Sequence, residues 1–356
     1  MFSHYSASRK SLCKKMRESG YIDLYSARPP RSKVLPVPPL SLRLHSPCSP
    51  APKPVPTPCR SRPVSPCALS LCSTRASSTG LISRRVITEP VACSAKAWAV
   101  TSSLTGDLLL GKQEESPREI ASLTKIMTLY TALQLLKELG LSLACIALVS
   151  HKAAGMKGTS AGLQAEDTLK VMDLLYGLML PSGNDAAQCL AEFFGREIAA
   201  SRSIPGSNRG FDLLFVREMN QQAGKLSLGR TVYQNPHGMA AKQNFSTAKD
   251  VNTLACIAMR LSTFRSIVNT QCYSCNITNE AGEEREQTWE NTNKLLRKGF
   301  EGVKTGLTEG AGPCLCSSWR EVVVTVLGCG CREGRWEDVQ RLVAWAQSSS
   351  ASPRPV

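Results

Sequence analysis

The stretch Val322-Val-Val-Thr-Val-Leu327 is apolar on both of its alternating faces, apart from one threonine. A strand of this kind is typical of the centre of a sheet that is covered on both sides. Before it, Gly302–Gly306 and Cys314–Trp319 are predicted to be short strands with close connections, and after it Trp336–Ala346 has a helical period. The C-terminal part of the chain therefore predicts three neighbouring strands and a closing helix.

Two further strands are predicted near the start of the folded body. Ala97–Thr101 and Leu108–Leu110 are joined through Thr105-Gly106-Asp107, a sequence typical of a hairpin turn. Between these strands and the C-terminal ones lie helical periods, namely Leu123–Leu139, Leu169–Leu180, Asp185–Ala199, Phe211–Gln222 and Ala248–Arg260. This order predicts an α/β fold in which the first and last segments share one antiparallel sheet flanked by helices, while the middle forms an all-helical lobe.

The first 90 residues differ in composition from the rest. They hold 15 Lys and Arg against three acids, a net charge of +12, and 14 of the 21 prolines. Such a stretch cannot offset its chain entropy by apolar burial, so we expect residues 1–90 to be a disordered basic leader rich in Ser and Pro. Its composition fits an organellar transit peptide, for which a plastid is the favoured address. The alternative to a transit peptide is a disordered arm without a targeting role. The alternative to a plastid is an extracytoplasmic location.

The remaining 266 residues carry 28 basic and 25 acidic side chains, a net charge of +3. This near neutrality disfavours a nucleic-acid binder, which needs clustered basic residues on its folded surface. No run of 18 apolar residues occurs, so no transmembrane helix is predicted. We expect residues 91–347 to form the folded domain and residues 348–356 to be a short disordered tail.

Ten of the 15 cysteines lie beyond residue 90, and some of them form close pairs at Cys272/Cys275, Cys314/Cys316 and Cys329/Cys331. The four histidines do not accompany these pairs at a ligand spacing, so we predict no metal site and no zinc-dependent peptidase. A body of this length does not need disulfides to fold, and buried reduced thiols are expected.

Three short motifs carry potential chemistry. Ser122-Leu-Thr-Lys125 places a hydroxyl and an amine on one face of a helix, where a neutral lysine can take the serine proton. Ser182-Gly-Asn184 forms a polar corner between two helices, and Lys304-Thr-Gly306 lies on a strand where glycine permits close approach to the backbone. Each motif alone is weak, since Ser11-Leu-Cys-Lys14 in the leader also has the first spacing.

In this order the three motifs resemble the S-x-x-K, S-x-N and K-T-G set of the penicillin-recognising serine enzymes. Their surroundings are similar to those of the low-molecular-mass D-alanyl-D-alanine carboxypeptidases, peptidase family S11, from about Val91 to Gln347. The strings that carry the resemblance are Ile120-Ala-Ser-Leu-Thr-Lys-Ile-Met-Thr128, Gly177-Leu-Met-Leu-Pro-Ser-Gly-Asn-Asp-Ala-Ala187, Asn235-Pro-His-Gly238, Ser246-Thr-Ala248, Asn291-Thr-Asn-Lys-Leu-Leu296, Gly302-Val-Lys-Thr-Gly-Leu-Thr308 and Ala311-Gly312.

The resemblance implies a β-lactamase/penicillin-binding-protein-like fold and a serine acyl-transfer reaction on peptides ending in D-Ala-D-Ala, with β-lactams as covalent inhibitors and no cofactor. It assigns catalysis to Ser122 as nucleophile, Lys125 as base and Ser182 as proton relay. It assigns substrate binding to Asn184, Lys304, Thr305, Gly306, Leu307 and Arg335, with the backbone N–H groups of Ser122 and Leu307 as the oxyanion hole. Thr292 stands where some members of the family have arginine.

Two other functions share these motifs. A serine β-lactamase would also need a residue that activates the deacylating water; the E-x-x-L-N loop of class A enzymes is absent, and Glu218-Met-Asn220 lacks its spacing. A non-catalytic sensor of muropeptides or penicillin would keep the cleft without turnover. The presence of every catalytic side chain favours the peptidase.

Overall fold

The computed structural model describes residues 91–204, 210–241 and 243–350. The leader and residues 351–356 lie outside these ranges, so the predictions of disorder and of a targeting role for them stay predictions. Among the described helices, not one is both long and apolar enough to cross a bilayer.

The main sheet has five antiparallel strands in the order β2-β1-β9-β8-β7. Its strands are β1 (Ala97–Ser102), β2 (Leu108–Lys112), β7 (Glu301–Thr308), β8 (Gly312–Trp319) and β9 (Val322–Leu327). The stretch Val322–Leu327 is the central strand, and the first and last segments of the body share the sheet, as predicted. Strand β7 is an edge strand, which leaves one side of it open.

Helices cover both faces of this sheet. The described helices are α1 (Thr124–Leu139), α2 (His151–Ala154), α3 (Val171–Met179), α4 (Asn184–Ser201), α5 (Phe211–Lys225), α6 (Ala248–Ala258), α7 (Ser262–Asn269) and α8 (Gly334–Ser350). Along β1 the side chains alternate: Trp98 and Val100 pack in one core with α8, whereas Ala97 and Ala99 belong to the other core, with the helical lobe. The sheet is therefore the middle layer between α8 and the other helices.

The helical lobe carries a second sheet, so it is not composed of helices alone. This sheet has the order β3-β4-β5-β6, with β3 (Ile146–Leu148), β4 (Thr168–Lys170), β5 (Cys272–Thr278) and β6 (Glu284–Glu290). The sequence analysis did not predict the hairpin β5–β6, because the apolar alternation of Tyr273, Cys275 and Ile277 along β5 is short and β6 is almost entirely polar. Only Ile277 and Trp289 are buried in these two strands.

The last helix is longer than its apolar period indicates. It runs from Gly334 to Ser350, so residues 348–350, assigned above to a disordered tail, are helical. The first breaker after the period is Pro353, and the Ser348 hydroxyl donates to the Trp345 carbonyl at 2.8 Å. Polar residues on an exposed helix end are compatible with helix, and hydropathy does not detect them.

The helical lobe is stabilised by an aromatic cluster on α4 and α5. Phe194 is fully buried, with its ring 5.1 Å from that of Phe193 and 5.9 Å from that of Phe215. We expect Phe194→Ala to lower the free energy of unfolding by about 3–5 kcal/mol, because it removes buried apolar surface and leaves a cavity. Leu213→Ala on α5, where the side chain is 57% exposed, serves as the control and should change it by no more than about 0.5 kcal/mol. Urea titrations followed by circular dichroism would contradict this packing if both variants lost equal stability.

Candidate active site

Ser122 lies in a 3-10 turn, Ala121–Leu123, that leads directly into α1. The backbone of Ala121 has a φ of 48°, a conformation that is uncommon for a residue with a side chain. Ser122 is partly exposed, whereas Lys125, one turn further along, is fully buried. The turn thus places the hydroxyl toward the surface and the amine in the interior.

The Lys125 amine has three oxygen neighbours from three parts of the chain. Its Nζ lies 3.0 Å from Ser122 Oγ, 2.7 Å from Asn184 Oδ1 and 2.9 Å from the carbonyl oxygen of His237. Among the described residues, none of the ion pairs involves Lys125. Burial therefore lowers the pKa of Lys125 well below its usual value, the positive charge of Lys304 lowers it further, and Asp185 acts in the opposite direction.

The corner between α3 and α4 supplies Ser182 and Asn184. Ser182 has a φ of 67° and is buried, yet its hydroxyl has no hydrogen-bond partner within the described part of the chain. Asn184 donates through Nδ2 to the Lys157 carbonyl at 2.7 Å, which fixes its Oδ1 toward Lys125. The predicted polar corner Ser182–Asn184 is thus joined to Lys125, just after the Ser122 turn, by the side-chain hydrogen bond of Asn184.

The His237 carbonyl is a site group that the side-chain motifs did not predict. It belongs to the turn Asn235–Gly238, where Asn235 Oδ1 accepts the Gly238 N–H at 2.7 Å. The turn is fastened to α1 by Thr128, whose hydroxyl donates to the Pro236 carbonyl at 2.6 Å. A Cβ at Gly238 would lie 1.9 Å from the Ala121 carbonyl oxygen, so only glycine fits there.

Strand β7 approaches the Ser122 turn from the other side. A Cβ at Gly306 would lie 3.2 Å from the backbone nitrogen of Ser122 and 3.0 Å from the Ile120 carbonyl oxygen. Lys304, two residues earlier on the same strand face, is buried, and its Nζ donates to the Thr305 carbonyl at 3.2 Å. Burial and the charge of Arg335 lower the pKa of Lys304 to about 7.

The remaining predicted residues surround this strand. The hydroxyls of Thr305 and Thr292 are 2.9 Å apart, and Leu307 is 42% exposed beside them along the strand. Arg335, near the start of α8, donates through Nη1 to the carbonyl oxygens of Gly306 at 3.1 Å and Cys314 at 3.4 Å. Its guanidinium therefore supports β7 from behind, and a direct contact with a substrate carboxylate stays a prediction.

Within the described ranges, His, Cys, Asp and Glu nowhere form a group of three or more that could hold a metal ion. The described cysteines are free thiols, including the buried Cys314 and Cys316 on β8. Burial raises the pKa of Cys314 to about 11 and that of Cys316 to about 12, so neither is a ready nucleophile.

One site thus brings together a partly exposed hydroxyl, a buried amine of low pKa, a second buried amine and an amide. Close packing at Gly306 and Gly238 holds the Ser122 turn between β7 and the turn Asn235–Gly238. Lys304 and Arg335 are buried basic groups without a carboxylate partner among the described residues, which favours an anionic ligand near β7. Ser122 Oγ lies within hydrogen-bond distance of a buried amine, and its backbone approaches the same strand.

Comparison with known proteins agrees with this geometry. The family model described as D-alanyl-D-alanine carboxypeptidase, Peptidase_S11, matches residues 84–327. A protein named D-alanyl-D-alanine carboxypeptidase from Streptomyces sp. (strain K15) is 33% identical over 257 residues, which are 71% of this chain and 85% of that protein. D-alanyl-D-alanine carboxypeptidase DacF of Bacillus subtilis is 29% identical over 73% of this chain and 64% of its own length.

Solved structures show the same relationship. The crystal structure of the Streptomyces K15 DD-transpeptidase superposes with a TM-score of 0.66 at 31% identity, over 74% of this chain and all of that one. The predicted fold class and family resemblance are confirmed. The chain belongs to the D-alanyl-D-alanine carboxypeptidase family, peptidase S11.

Proposed function

We propose that the protein is a serine-type D-Ala-D-Ala carboxypeptidase that removes the terminal D-alanine from peptidoglycan-type peptides. The observation that carries the proposal is the Lys125 amine, which lies within hydrogen-bond distance of both Ser122 Oγ and Asn184 Oδ1. Names of the similar proteins support the reaction class. Residues 91–347 contain every residue to which we assign a role.

Burial and the positive charge of Lys304 favour the neutral form of Lys125, which can act as a base. A neutral amine has two N–H donors and one lone pair. Two of its neighbours, Asn184 Oδ1 and the His237 carbonyl, can only accept, so they take the two N–H groups. The lone pair is then left for Ser122, the one neighbour with a proton to give. This arrangement makes Lys125 the base that activates the serine.

Acylation follows from the same placement. Ser122 Oγ attacks the carbonyl between the two D-alanines while its proton passes to Lys125. The backbone N–H groups of Ser122 and Leu307 stabilise the oxyanion, each such donor being worth ~3 kcal/mol. Lys304 and Thr305 bind the terminal carboxylate, with Arg335 as a further cation. Asn184 also binds the substrate amide, and the peptide lies along the edge strand β7.

Release of the leaving group and of the acyl group completes the cycle. The C–N bond breaks, the nitrogen takes a proton relayed through Ser182, and D-alanine leaves. The buried hydroxyl of Ser182, which has no hydrogen-bond partner among the described residues, supports this role. Water then attacks the ester, which releases the shortened peptide and returns the proton to Ser122. No metal or organic cofactor takes part in this scheme.

A β-lactamase is less well supported. Glu218, in the string most similar to a class A deacylation motif, lies on α5, where its carboxylate pairs with Arg202 at 3.1 Å and accepts from Gln222 at 3.1 Å. It therefore takes part in a structural ion pair. We expect β-lactams to act as covalent inhibitors that form a long-lived adduct. An organellar or extracytoplasmic location stays a prediction, because it rests on the leader.

Ser122→Ala should abolish both penicillin labelling and D-alanine release from an acyl-D-Ala-D-Ala peptide, since it removes the attacking oxygen. Gel detection of labelled penicillin and a D-alanine assay measure the two losses. Ser201→Ala is the control, because Ser201 is exposed at the other end of the 18-residue α4, about 25 Å from Asn184. Equal labelling of all three proteins would remove Ser122 from the mechanism.

The fate of the acyl group separates three activities. A relative from the K15 strain is named as a carboxypeptidase, and a structure from that strain is titled a DD-transpeptidase. With an amino acid or peptide amine added as acceptor, we expect free shortened peptide to exceed the transfer product. Mass spectrometry of the products measures the ratio, and a dominant transfer product would favour a transpeptidase. Release of the penicillin adduct within seconds would favour a β-lactamase.

The rate should depend on pH through two lysines. As pH rises, kcat/KM increases when Lys125 loses its proton, and it falls again when Lys304 does so, near pH 7 in the free enzyme. A bound substrate carboxylate favours the charged form of Lys304 and raises its pKa. We therefore expect the alkaline limb of kcat at higher pH than that of kcat/KM.

Steady-state kinetics from pH 5 to pH 10 measure both limbs. Lys304→Arg is the matched variant, because a guanidinium stays charged throughout this range. It should lose the alkaline limb of kcat/KM even if its overall rate is lower. An alkaline limb that is unchanged in this variant would show that Lys304 is not the group titrated.

A further inference from the structure

Asp185 is a buried carboxylate directly after Asn184 in the first turn of α4. Its oxygens accept the Ser160 hydroxyl at 2.5 Å, the Ala161 N–H at 2.8 and 2.9 Å, and the Leu163 N–H at 3.2 Å. The Ala186 N–H of its own helix donates to it at 2.8 Å. The Asp185 carboxylate therefore accepts hydrogen bonds from three residues of the segment 157–163, here called the bracing loop.

The bracing loop is in turn bonded to the catalytic corner. The Thr159 hydroxyl donates to the Ser182 carbonyl at 2.6 Å, and the Thr159 backbone carbonyl accepts the Asn184 N–H at 2.8 Å. The carbonyl of Lys157 accepts from Asn184 Nδ2 at 2.7 Å. This last bond decides which end of the Asn184 amide faces Lys125. In the opposite orientation, Nδ2 and the amine would meet as two donors.

The other side of the loop is held by the hairpin β5–β6. Trp289 donates through Nε1 to the Ala161 carbonyl at 2.8 Å, and Arg285 donates to the Gly162 carbonyl at 3.0 Å. The space behind the corner is filled: a Cβ at residue 183 would lie 2.6 Å from Asp185 Oδ1, 2.8 Å from the Gly177 carbonyl oxygen and 2.9 Å from the Cβ of Ala161. The carboxylate and the loop thus explain why the motif has Gly183 at its centre.

We propose that Asp185 is a positioning residue for the reaction: its carboxylate holds the bracing loop against the Ser182–Asn184 corner, and the loop orients the Asn184 amide toward Lys125. Asp185 touches neither substrate nor Ser122 in this role. The inference rests on the proposed function, because it assigns the orientation of groups whose chemistry is proposed above.

Loss of the Asp185 carboxylate should change the pKa of Lys125 in a defined direction. The negative charge of Asp185 raises the pKa of Lys125, and the acceptor bond from Asn184 also favours the ammonium form. Removing the charge, and with it the fixed amide, should lower the pKa of Lys125. The base form then persists to lower pH, so the acidic limb of the acylation rate moves to lower pH.

The test compares Asp185→Asn with the wild-type protein in acylation by labelled penicillin as a function of pH. We expect the second-order acylation rate at its optimum to fall roughly 10- to 100-fold, because small displacements of reacting groups have effects of this size. The acidic limb should shift to lower pH by a measurable fraction of a unit. Glu337→Gln, an exposed acid in the first turn of α8, is the control and should change neither.

Thermal unfolding of each variant distinguishes positioning from folding. A slower Asp185→Asn protein with an unshifted acidic limb would overturn the inference, as would a wild-type rate. If that variant does not fold, Ser160→Ala removes a single exposed donor to the carboxylate and should slow acylation severalfold with unchanged melting; an unaltered rate would overturn the inference. A wild-type protein that takes no label refutes the proposed function instead.

Discussion

The site depends on one constraint: a buried lysine amine has no carboxylate partner in the described part of the chain and forms its hydrogen bonds with neutral oxygens. Lys125 does so with Ser122, Asn184 and the His237 carbonyl, which come from a helix start, a helix corner and a turn. Burying a charge without a partner is costly, so the neutral amine is favoured. The same burial, with the positive charge of Lys304, lowers the pKa of Lys125 well below its usual value, as the proposed role of a base requires.

The architecture serves to keep that amine in place. The Ser122 turn lies between two segments that approach its backbone closely, at Gly306 on β7 and at Gly238 in the turn Asn235–Gly238. A Cβ at Gly238 would overlap the Ala121 carbonyl oxygen at 1.9 Å, and a Cβ at Gly306 would lie 3.0 Å from the Ile120 carbonyl oxygen, which is tighter than an ordinary contact. The main sheet positions the first segment and α1 fastens the second through Thr128. The positions of Ser122, Lys125 and β7 are therefore determined by backbone packing more than by side-chain contacts.

Much of this could be predicted from the sequence, and what was not predicted has physical causes. The central strand Val322–Leu327 is carried by side chains, and the structure confirms it. The three motifs are also carried by side chains, and their proposed roles stay predictions. The hairpin β5–β6 was missed because its apolar signal is short: Tyr273, Cys275 and Ile277 alternate along β5, but Trp289 is the one apolar residue of β6. The His237 carbonyl was missed because a main-chain acceptor leaves no residue-type signal. Asp185 stood beside a recognised motif, but only the bracing loop reveals its role.

The ionisation of Lys125 is the most direct measure of this account. Carbon-13 NMR of protein labelled at the lysine ε-carbons, with the Lys125 signal assigned by its loss in Lys125→Arg, follows that ionisation in the resting enzyme. The account predicts that this resonance has the chemical shift of a neutral amine at pH 9, while the exposed lysines are still charged. A Lys125 signal that titrates together with the exposed lysines, near pH 10.5, would contradict it.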